Sequence, residues 1–410
     1  MHCRSSCTIL AMLWLSGAPV AAQQQDERVP DRPELPSGAD TNSAMAYYEL
    51  GVANLESRPR DAADAFYWAS RIVPEWATPL YARRVALLLQ NPRRLVGYME
   101  RRKSVLRSDE IRSIDSLEYR ARQLDPFLHR RLDWVLVRAY LMETAMQSLR
   151  REYRTARVDE LRPEVEHWIN RYLETGGAAE WRAWRAYSNG QLTQALEYYA
   201  DVLKRSKDQA SVHLQRGQIF YLLQQLDSAQ VSLSQALDEM RERDEDELIV
   251  LYESKAMLEY SLGMVLEAAG KSDEAKEAYS RALVEDMAFH PAHLRLGLVA
   301  LAGGDTVTAL SEFEVAVEIE PNRPGPRAIL GEALAQAARH EDAVAQLERA
   351  IELEPYYSQP YLTLAMAHEA LGNGEAAITC YGDFLARVMA TDDRREWAVE
   401  RMSALKQPQP

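Results

Sequence analysis

One regular spacing in the C-terminal half restricts the fold of this chain more than any other feature. Gly263, Gly297 and Gly331 lie 34 residues apart, and the small residue Ala365 follows at the next step. Five more sets of positions keep the same spacing over four units: Ala275, Ala309, Ala343 and Ala377; Tyr279, Phe313, Leu347 and Tyr381; Ala282, Ala316, Ala350 and Phe384; Leu262, Leu296, Leu330 and Leu364; and Met287, Pro321, Pro355 and Met389. Six sets that stay in phase indicate a structural repeat, in which every unit makes the same contacts with its neighbour.

Each unit contains two runs with helical spacing. Leu262 and Leu266 share one face of a first helix, and Ala275 and Tyr279 share one face of a second. A glycine-containing turn separates the two runs, and Pro321 is placed to end a second helix, since proline disfavours the helical state of the residue before it. Because a single pair of helices leaves its apolar face exposed, the units are predicted to stack into a solenoid.

This pattern resembles the tetratricopeptide repeat (TPR), a helix–turn–helix unit of 34 residues. The resemblance implies an all-α fold, a right-handed superhelix of helical hairpins. The units assigned by register are 256–289, 290–323, 324–357 and 358–391 without a gap, 210–243 and about 176–209 before them, and a divergent unit within 42–76. The sequence therefore predicts a TPR array over residues 176–391 and one separate unit near the N-terminus.

The segments outside the repeats have distinct compositions. Residues 1–22 combine a basic residue, a short apolar run and small residues before Gln23, which predicts a cleaved secretory signal peptide. Residues 23–41 are polar and proline-rich and are interpreted as an extended, mobile linker. Residues 77–175 are predicted to form an irregular, arginine-rich helical region, and residues 392–410 a C-terminal cap helix and tail.

The signal peptide and the cysteine content indicate an exported protein. Cys380 is the one cysteine that remains after cleavage, so an internal disulfide cannot form. Its thiol is interpreted as a small buried apolar group, with pairing to another molecule as the alternative. No later segment is long and apolar enough to span a membrane. The prediction is a periplasmic or secreted protein of a bacterial cell envelope.

Charge is unevenly distributed along the chain. The 48 basic and 62 acidic residues give a net charge of −14. Residues 82–185 hold 22 basic and 15 acidic side chains, whereas residues 186–410 hold 20 and 37. The overall acidity argues against a nucleic-acid partner, whose phosphates require a basic surface. The arginines of residues 92–175 either bind an acidic partner or anionic lipid or form a solvated face with intrahelical ion pairs, and the solvated face is favoured.

The sequence lacks the motifs of common enzyme active sites. It contains no HExxH zinc motif, no GxxxxGK phosphate loop and no GxSxG nucleophile elbow. His290 and His293 are the nearest candidate metal ligands, but no third ligand accompanies them, and turn and packing roles explain them more simply. The sequence predicts no catalytic residue, no metal site and no cofactor. An enzyme site within residues 77–185 is the unfavoured alternative.

In the family that the chain resembles, the first helices of the units line a concave groove that holds a peptide or a partner helix. Carried over by register, the groove residues include Leu214, Gln218, Tyr221, Tyr260, Met264, Glu267, Leu294, Leu298, Leu301, Ala328, Glu332, Leu362, Met366 and Glu369. The set lacks the Lys, Arg and Asn with which some relatives clamp a carboxylate. The resemblance thus implies an apolar groove with acidic flanks, suited to an amphipathic helix with basic flanks.

The predicted function is that of an exported TPR scaffold that mediates protein–protein interaction through this groove. Two alternatives stay open at this point. In the first, the protein is a structural subunit of a cell-envelope complex, whose repeats assemble with copies or neighbours. In the second, which concerns the groove itself, part of its lining packs against the chain's own helices.

Overall fold

The structure, a computed structural model, describes residues 29–100, 108–153, 156–206, 209–246 and 252–406. Every regular element in these ranges is a helix, which confirms the predicted all-α solenoid of helical hairpins. The α-helices are α1 (Ala44–Asn54), α2 (Pro59–Ile72), α3 (Ala77–Leu89), α4 (Pro92–Met99), α5 (Ser108–Leu124), α6 (Asp133–Tyr153), α7 (Arg162–Thr175), α8 (Ala179–Ser188), α9 (Leu192–Leu203), α10 (Gln209–Leu222), α11 (Leu226–Asp246), α12 (Tyr252–Ala268), α13 (Ser272–Glu285), α14 (His290–Ala302), α15 (Thr306–Ile319), α16 (Pro324–Gln336), α17 (His340–Leu353), α18 (Gln359–Ala370), α19 (Gly374–Arg387) and α20 (Arg394–Leu405). The predicted signal peptide, residues 1–22, lies outside the described residues.

Helices α8 to α19 pair as successive hairpins, and each hairpin packs on the next. The glycine that opens the 34-residue pattern lies where the two helices of a hairpin approach most closely. A Cβ atom added at Gly297 would lie 2.4 Å from Cε1 of Phe313, far inside van der Waals contact. The hairpin of α1 and α2 has the same contact, with 2.5 Å between an added Cβ at Gly51 and Cε1 of Phe66. The small residue is therefore required by the aromatic ring of the second helix.

The turn inside each hairpin from α8 to α19 has left-handed backbone at one fixed register position. Gly270, Gly304 and Gly372 have φ angles of 74°, 81° and 76° there. Glycine adopts this conformation without a Cβ clash, which makes it the usual residue after a helix C-terminus. Ala338 takes the equivalent position with φ 59°, and Gln224 does so with φ 60°. The two non-glycine turns carry a backbone cost that the glycine turns avoid.

The N-terminal hairpin packs against the last repeats, so the chain closes on itself. Nε of Arg71 lies 2.8 Å from Oε2 of Glu354, and both side chains are largely buried. The indole of Trp68 meets the ring of Tyr356 edge-on, with 4.9 Å between ring centroids. These contacts join positions more than 280 residues apart in sequence.

Residues 29–41 differ from their interpretation as an extended, mobile linker. Nε1 of Trp68 donates a hydrogen bond of 3.1 Å to the carbonyl oxygen of Pro30. The backbone N–H of Ala390 donates to Oδ2 of Asp40 at 2.6 Å, and Nδ2 of Asn42 donates to a carbonyl of the last hairpin. Hydrogen bonds thus hold Pro30 and Asp40 against the helical array, and composition alone does not distinguish such contacts from solvation.

The C-terminal helix α20 covers the last hairpin. Ala398 is fully buried, and the ring of Trp397 meets Tyr381 edge-on at 5.9 Å between centroids. The guanidinium of Arg401 forms an ion pair with Glu369 of α18. None of the described helices combines the length and the apolar composition that a membrane crossing requires.

Candidate partner-binding groove

The chain itself fills part of the concave face. Residues 119–130, the end of α5 and the loop after it, lie against the first helices of the units 210–243 and 256–289; we call them the inner segment. The ring of Phe127 stacks on Tyr221, with 3.8 Å between centroids and 19° between the planes. Nε2 of Gln218 donates to the carbonyl oxygen of Pro126 at 3.0 Å. An aromatic stack and a hydrogen bond thus occupy two groove positions that the sequence assigns to a partner.

Tyr260, the next predicted groove residue, is buried in the same way. Its hydroxyl donates a hydrogen bond of 3.3 Å to the carbonyl oxygen of Gln123. Nη2 of Arg323 donates to Oε1 of the same glutamine at 3.1 Å, which extends the contact to the last residue of the 290–323 unit. Burial raises the pKa of Tyr260, so the phenol is neutral and able to donate. The inner segment therefore spans the first helices of several consecutive units.

A buried ion network fixes both ends of the inner segment. Glu118 lies between Nε of Arg84 at 2.7 Å and Nη1 of Arg130 at 2.9 Å. Arg130 also contacts Oδ2 of Asp133 at 3.0 Å. Burial opposes ionisation of Glu118, but Arg130 and Arg84 outweigh it and lower the pKa of its carboxyl group. Removing one member of such a network leaves an unpaired buried charge, at a cost of about 3–5 kcal/mol, so the segment is firmly anchored.

Arg130, which belongs to the arginine-rich residues 92–175, fits neither interpretation of that region, and Arg84 just before it is buried in the same network. Arg84 and Arg130 neither face solvent nor are available to an outside partner. A small cavity of about 10 Å³ adjoins the network and is lined by Tyr81, Glu118, Arg122, Arg130 and Gln218, among others. That volume holds about one water molecule. The charged groups in this part of residues 77–185 are thus engaged with one another around a space too small for a substrate.

A second loop reaches the later repeats. Glu75, between α2 and α3, is hydrogen-bonded to Tyr357 and lies beside Gly325, where an added Cβ would be 3.2 Å from its Oε1. Burial raises the pKa of Glu75. Ala328 and Leu362, two predicted groove residues of these units, are buried. The N-terminal ends of the first helices are thus covered along much of the array.

The C-terminal ends of the same helices stay exposed. We define the open strip as two rows of residues, one in each row from each of four consecutive units: Met264, Leu298, Glu332 and Met366; and Ala268, Ala302, Gln336 and Ala370. Met366 is 48% exposed and Leu298 is 37% exposed, which is high for apolar side chains of this size. Met264 is partly buried, and the other five members of the two rows are exposed as well. At its end, Met366, Trp397 and Arg401 border an open cleft of about 370 Å³.

The three predicted groove acids differ in their surroundings. Glu267 accepts a hydrogen bond of 2.6 Å from the hydroxyl of Tyr279 and lies 3.6 Å from Arg295. Glu369 is engaged in the same manner by Tyr381 and an arginine of α20. Glu332 is exposed, and no ion pair to it is recorded within the described ranges. One of the three acids is therefore free to meet a cation.

The remaining predicted groove residues, Leu214, Leu294 and Leu301, are partly buried and pack against the hydrophobic cores of their own hairpins. The two candidate metal ligands do not converge. His290 is buried with its Nε2 3.5 Å from Nη1 of Arg323, whereas Nδ1 of His293 lies 2.7 Å from a carboxylate oxygen of Glu312. Within the described ranges, no cluster of three His, Cys, Asp or Glu side chains is placed to hold a metal ion.

The fold and this partly covered concave face define a helical-repeat protein whose first helices are covered in part by other segments of the chain. A family model described as tetratricopeptide repeat matches residues 182–239 and 260–324. These matched residues lie within the array of tetratricopeptide repeats that the 34-residue pattern predicts. A comparison with curated proteins found no match.

Several solved structures resemble parts of the chain. YrrB, described as a TPR protein with an unusual peptide-binding site, is 19% identical; the match covers 50% of this chain and 97% of YrrB, with a TM-score of 0.39. PilW, described as a widely conserved type IV pilus biogenesis factor, is 18% identical over 54% of this chain and 96% of its own, with a TM-score of 0.42. The C-terminal part of a TPR protein from Cytophaga hutchinsonii is 16% identical over 55% and 94%, with a TM-score of 0.43.

Proposed function

We propose that this protein is an exported scaffold that binds a partner protein through the open strip. The observation that carries the proposal is the division of the concave face: its N-terminal edge is covered in part by the chain itself, while the strip exposes Leu298 and Met366 on either side of Glu332. A row of exposed apolar side chains on a rigid scaffold marks an interaction surface. Methionine adapts to the shape of what it contacts.

The proposed location rests on the sequence. The signal-like residues 1–22 and the single remaining cysteine support export to a bacterial periplasm or beyond. N-terminal sequencing of the protein recovered from the envelope fraction tests it: a start at Gln23 supports export, and a retained Met1 in the cytosolic fraction contradicts it.

The binding surface is tested with a matched pair of double variants. Leu298→Asp with Met366→Asp places two charges on the strip, whereas Val284→Asp with Val307→Asp places two on second helices, at positions that are 83% exposed in each case. Each mature chain, immobilised, is used to capture proteins from a native envelope extract for quantitative mass spectrometry. We expect the strip variant to lose the specific partner at least tenfold while the second-helix variant retains it. Retention by the strip variant, with an unchanged helical spectrum for all chains, would refute the proposal.

The alternative function, a structural subunit of an envelope complex, is favoured by one observation. Val284, Met287 and Val307 are each more than 80% exposed near the ends of second helices of adjacent units. Such side chains suit contact between copies. Size-exclusion chromatography with light scattering distinguishes the two functions: an oligomer that the Val284→Asp, Val307→Asp variant dissociates supports assembly, and a monomer at all concentrations supports the scaffold.

A further inference from the structure

We infer that the small cavity beside the buried ion network binds a chloride ion, held by Arg122 with Arg130 next to it. This site is distinct from the open strip, so the ion binds there whether or not a partner occupies the strip. The charge balance around the cavity, its burial and its size all support a small anion.

The cavity lies where three parts of the chain meet. It is lined by Tyr81 of α3, by Arg122 and Arg130 of the inner segment, and by Gln218 of α10. Helix α10 is the first helix of the unit 210–243, so the cavity separates the groove from the segment that covers it. An ion bound there requires the docked arrangement, and it therefore stabilises the docked arrangement over the unfolded chain.

The cavity and the network beside it carry one positive charge in excess, from three guanidinium groups and two carboxylates. Arg84 and Arg130 share the carboxylate of Glu118, at 2.7 and 2.9 Å. They also share Asp133, which lies 4.0 Å from Nη1 of Arg84 and 3.0 Å from Nε of Arg130. The third guanidinium belongs to Arg122, for which no ion pair or hydrogen bond is found within the described ranges. An anion next to Arg122 would neutralise the excess.

Burial makes this excess charge unfavourable. It lowers the pKa of Arg122, and the carboxylate of Glu118 nearby does not offset the effect. Arginine stays protonated all the same, because its ordinary pKa lies far above neutrality. A buried charge without a counter-ion destabilises a fold, whereas an anion that accepts hydrogen bonds from the guanidinium removes much of that penalty.

The size of the cavity selects the kind of anion. Its volume of about 10 Å³ holds one particle of about the size of a water molecule. Phosphate and carboxylate ligands are too large for it. Chloride is monatomic and only somewhat larger than water, and the side chain of Arg122, which is not fully buried, can shift to admit it.

A water molecule is the rival occupant. Oε1 of Gln218 is buried and has no hydrogen-bond partner in the part of the chain that the structure describes, so it could accept a hydrogen bond from water. Water would satisfy this oxygen but would leave the charge of Arg122 uncompensated. The two occupants are therefore distinguished by their response to a change of anion and to the loss of the arginine.

Crystals of the mature chain grown with sodium bromide in place of sodium chloride test the site directly. Bromide replaces chloride at halide sites, and its anomalous scattering locates it. We expect an anomalous peak in the cavity, in contact with a guanidinium nitrogen of Arg122, and no such peak in the Arg122→Gln chain. A cavity without an anomalous peak in the parent chain overturns the inference.

Thermal unfolding measures the same binding in solution. Sodium chloride replaces sodium gluconate stepwise at constant sodium concentration, so that general screening does not change. The unfolding midpoint should rise saturably with chloride for the parent chain and for Arg112→Gln, the matched control at an exposed position of the same helix α5. A flat response of the parent chain overturns the inference.

Arg122→Gln should lose the rise with chloride. In gluconate alone it should unfold no earlier than the parent chain, because it lacks the uncompensated buried charge. An undiminished chloride response of Arg122→Gln overturns the inference. So does a variant that fails to fold in gluconate, since Arg122 would then be paired within the chain and no charge would be left for an anion.

Discussion

Replacing Phe127 by alanine should separate the inner segment from the repeat array at its tightest point. The ring is 2% exposed, stacks on Tyr221 and belongs to the same hydrophobic cluster as Leu233 and Tyr260. Truncating a fully buried Phe to Ala costs about 3–5 kcal/mol, because apolar contact is lost and a cavity remains. The aromatic stacking accounts for about 0.5–1.5 kcal/mol of that loss. A change of this size is a large share of the stability of an ordinary domain.

Urea unfolding, followed by circular dichroism, measures the loss as a shift of the midpoint. Because repeat arrays do not unfold as one unit, hydrogen–deuterium exchange should accompany it. Exchange should accelerate in α10 and α12, which the inner segment covers, and stay unchanged in α16 and α18. Val307→Ala, on an exposed side chain, is the control and should change the free energy of unfolding by less than about 0.5 kcal/mol. A Phe127→Ala chain with the parent's midpoint and exchange pattern would refute the docking of the segment in the groove.

Three further outcomes can be measured by the same unfolding experiments. Ala338→Gly should stabilise the chain by up to about 1 kcal/mol, since it relieves a left-handed alanine; a loss of stability would contradict the turn geometry. Gly297→Ala should cost about 1–3 kcal/mol, because the new methyl group must displace the ring of Phe313; a neutral result would contradict the close approach. Burial, and then Arg323, hold the pKa of His290 well below its usual value; the folded state therefore binds fewer protons than the unfolded state, and stability should fall as pH drops below about 6.5. His290→Gln should reduce the pH dependence of stability by up to one proton per molecule. An unchanged pH slope would contradict the lowered pKa of His290.

The repeat fold was predictable because each contact recurs at the same register. Gly297 opposite Phe313 and Gly331 opposite Leu347 are one contact made twice, so a single spacing predicts both. One pairing within the groove also had a signal in the sequence. In two units the tyrosine of the second helix has a glutamate twelve residues before it, as Glu267 precedes Tyr279 and Glu369 precedes Tyr381, and the buried phenol donates to that acceptor.

The self-occupied groove was not predictable, because its contacts join a segment without a repeat to one that has it. Phe127 and Tyr221 are 94 positions apart, and no periodicity relates them. The sequence named the groove positions by register but could not show which of them the chain covers. The buried arginines escaped prediction for a similar reason. Arg84 pairs with Glu118 across two helices of irregular spacing, and a count of charges does not reveal which ones leave the surface.

The position of the inner segment is the point on which the binding site depends, and cross-linking tests it most directly. Gln218→Cys and Pro126→Cys are introduced together into a mature chain that carries Cys380→Ser, and a short bismaleimide is added at low protein concentration. Because the side chain of Gln218 contacts the carbonyl oxygen of Pro126, mass spectrometry of the digest should find these two positions linked within one chain in high yield. Two separately modified thiols, or links only between chains, would mean that the concave face of these units is open, and the binding strip would have to be redrawn.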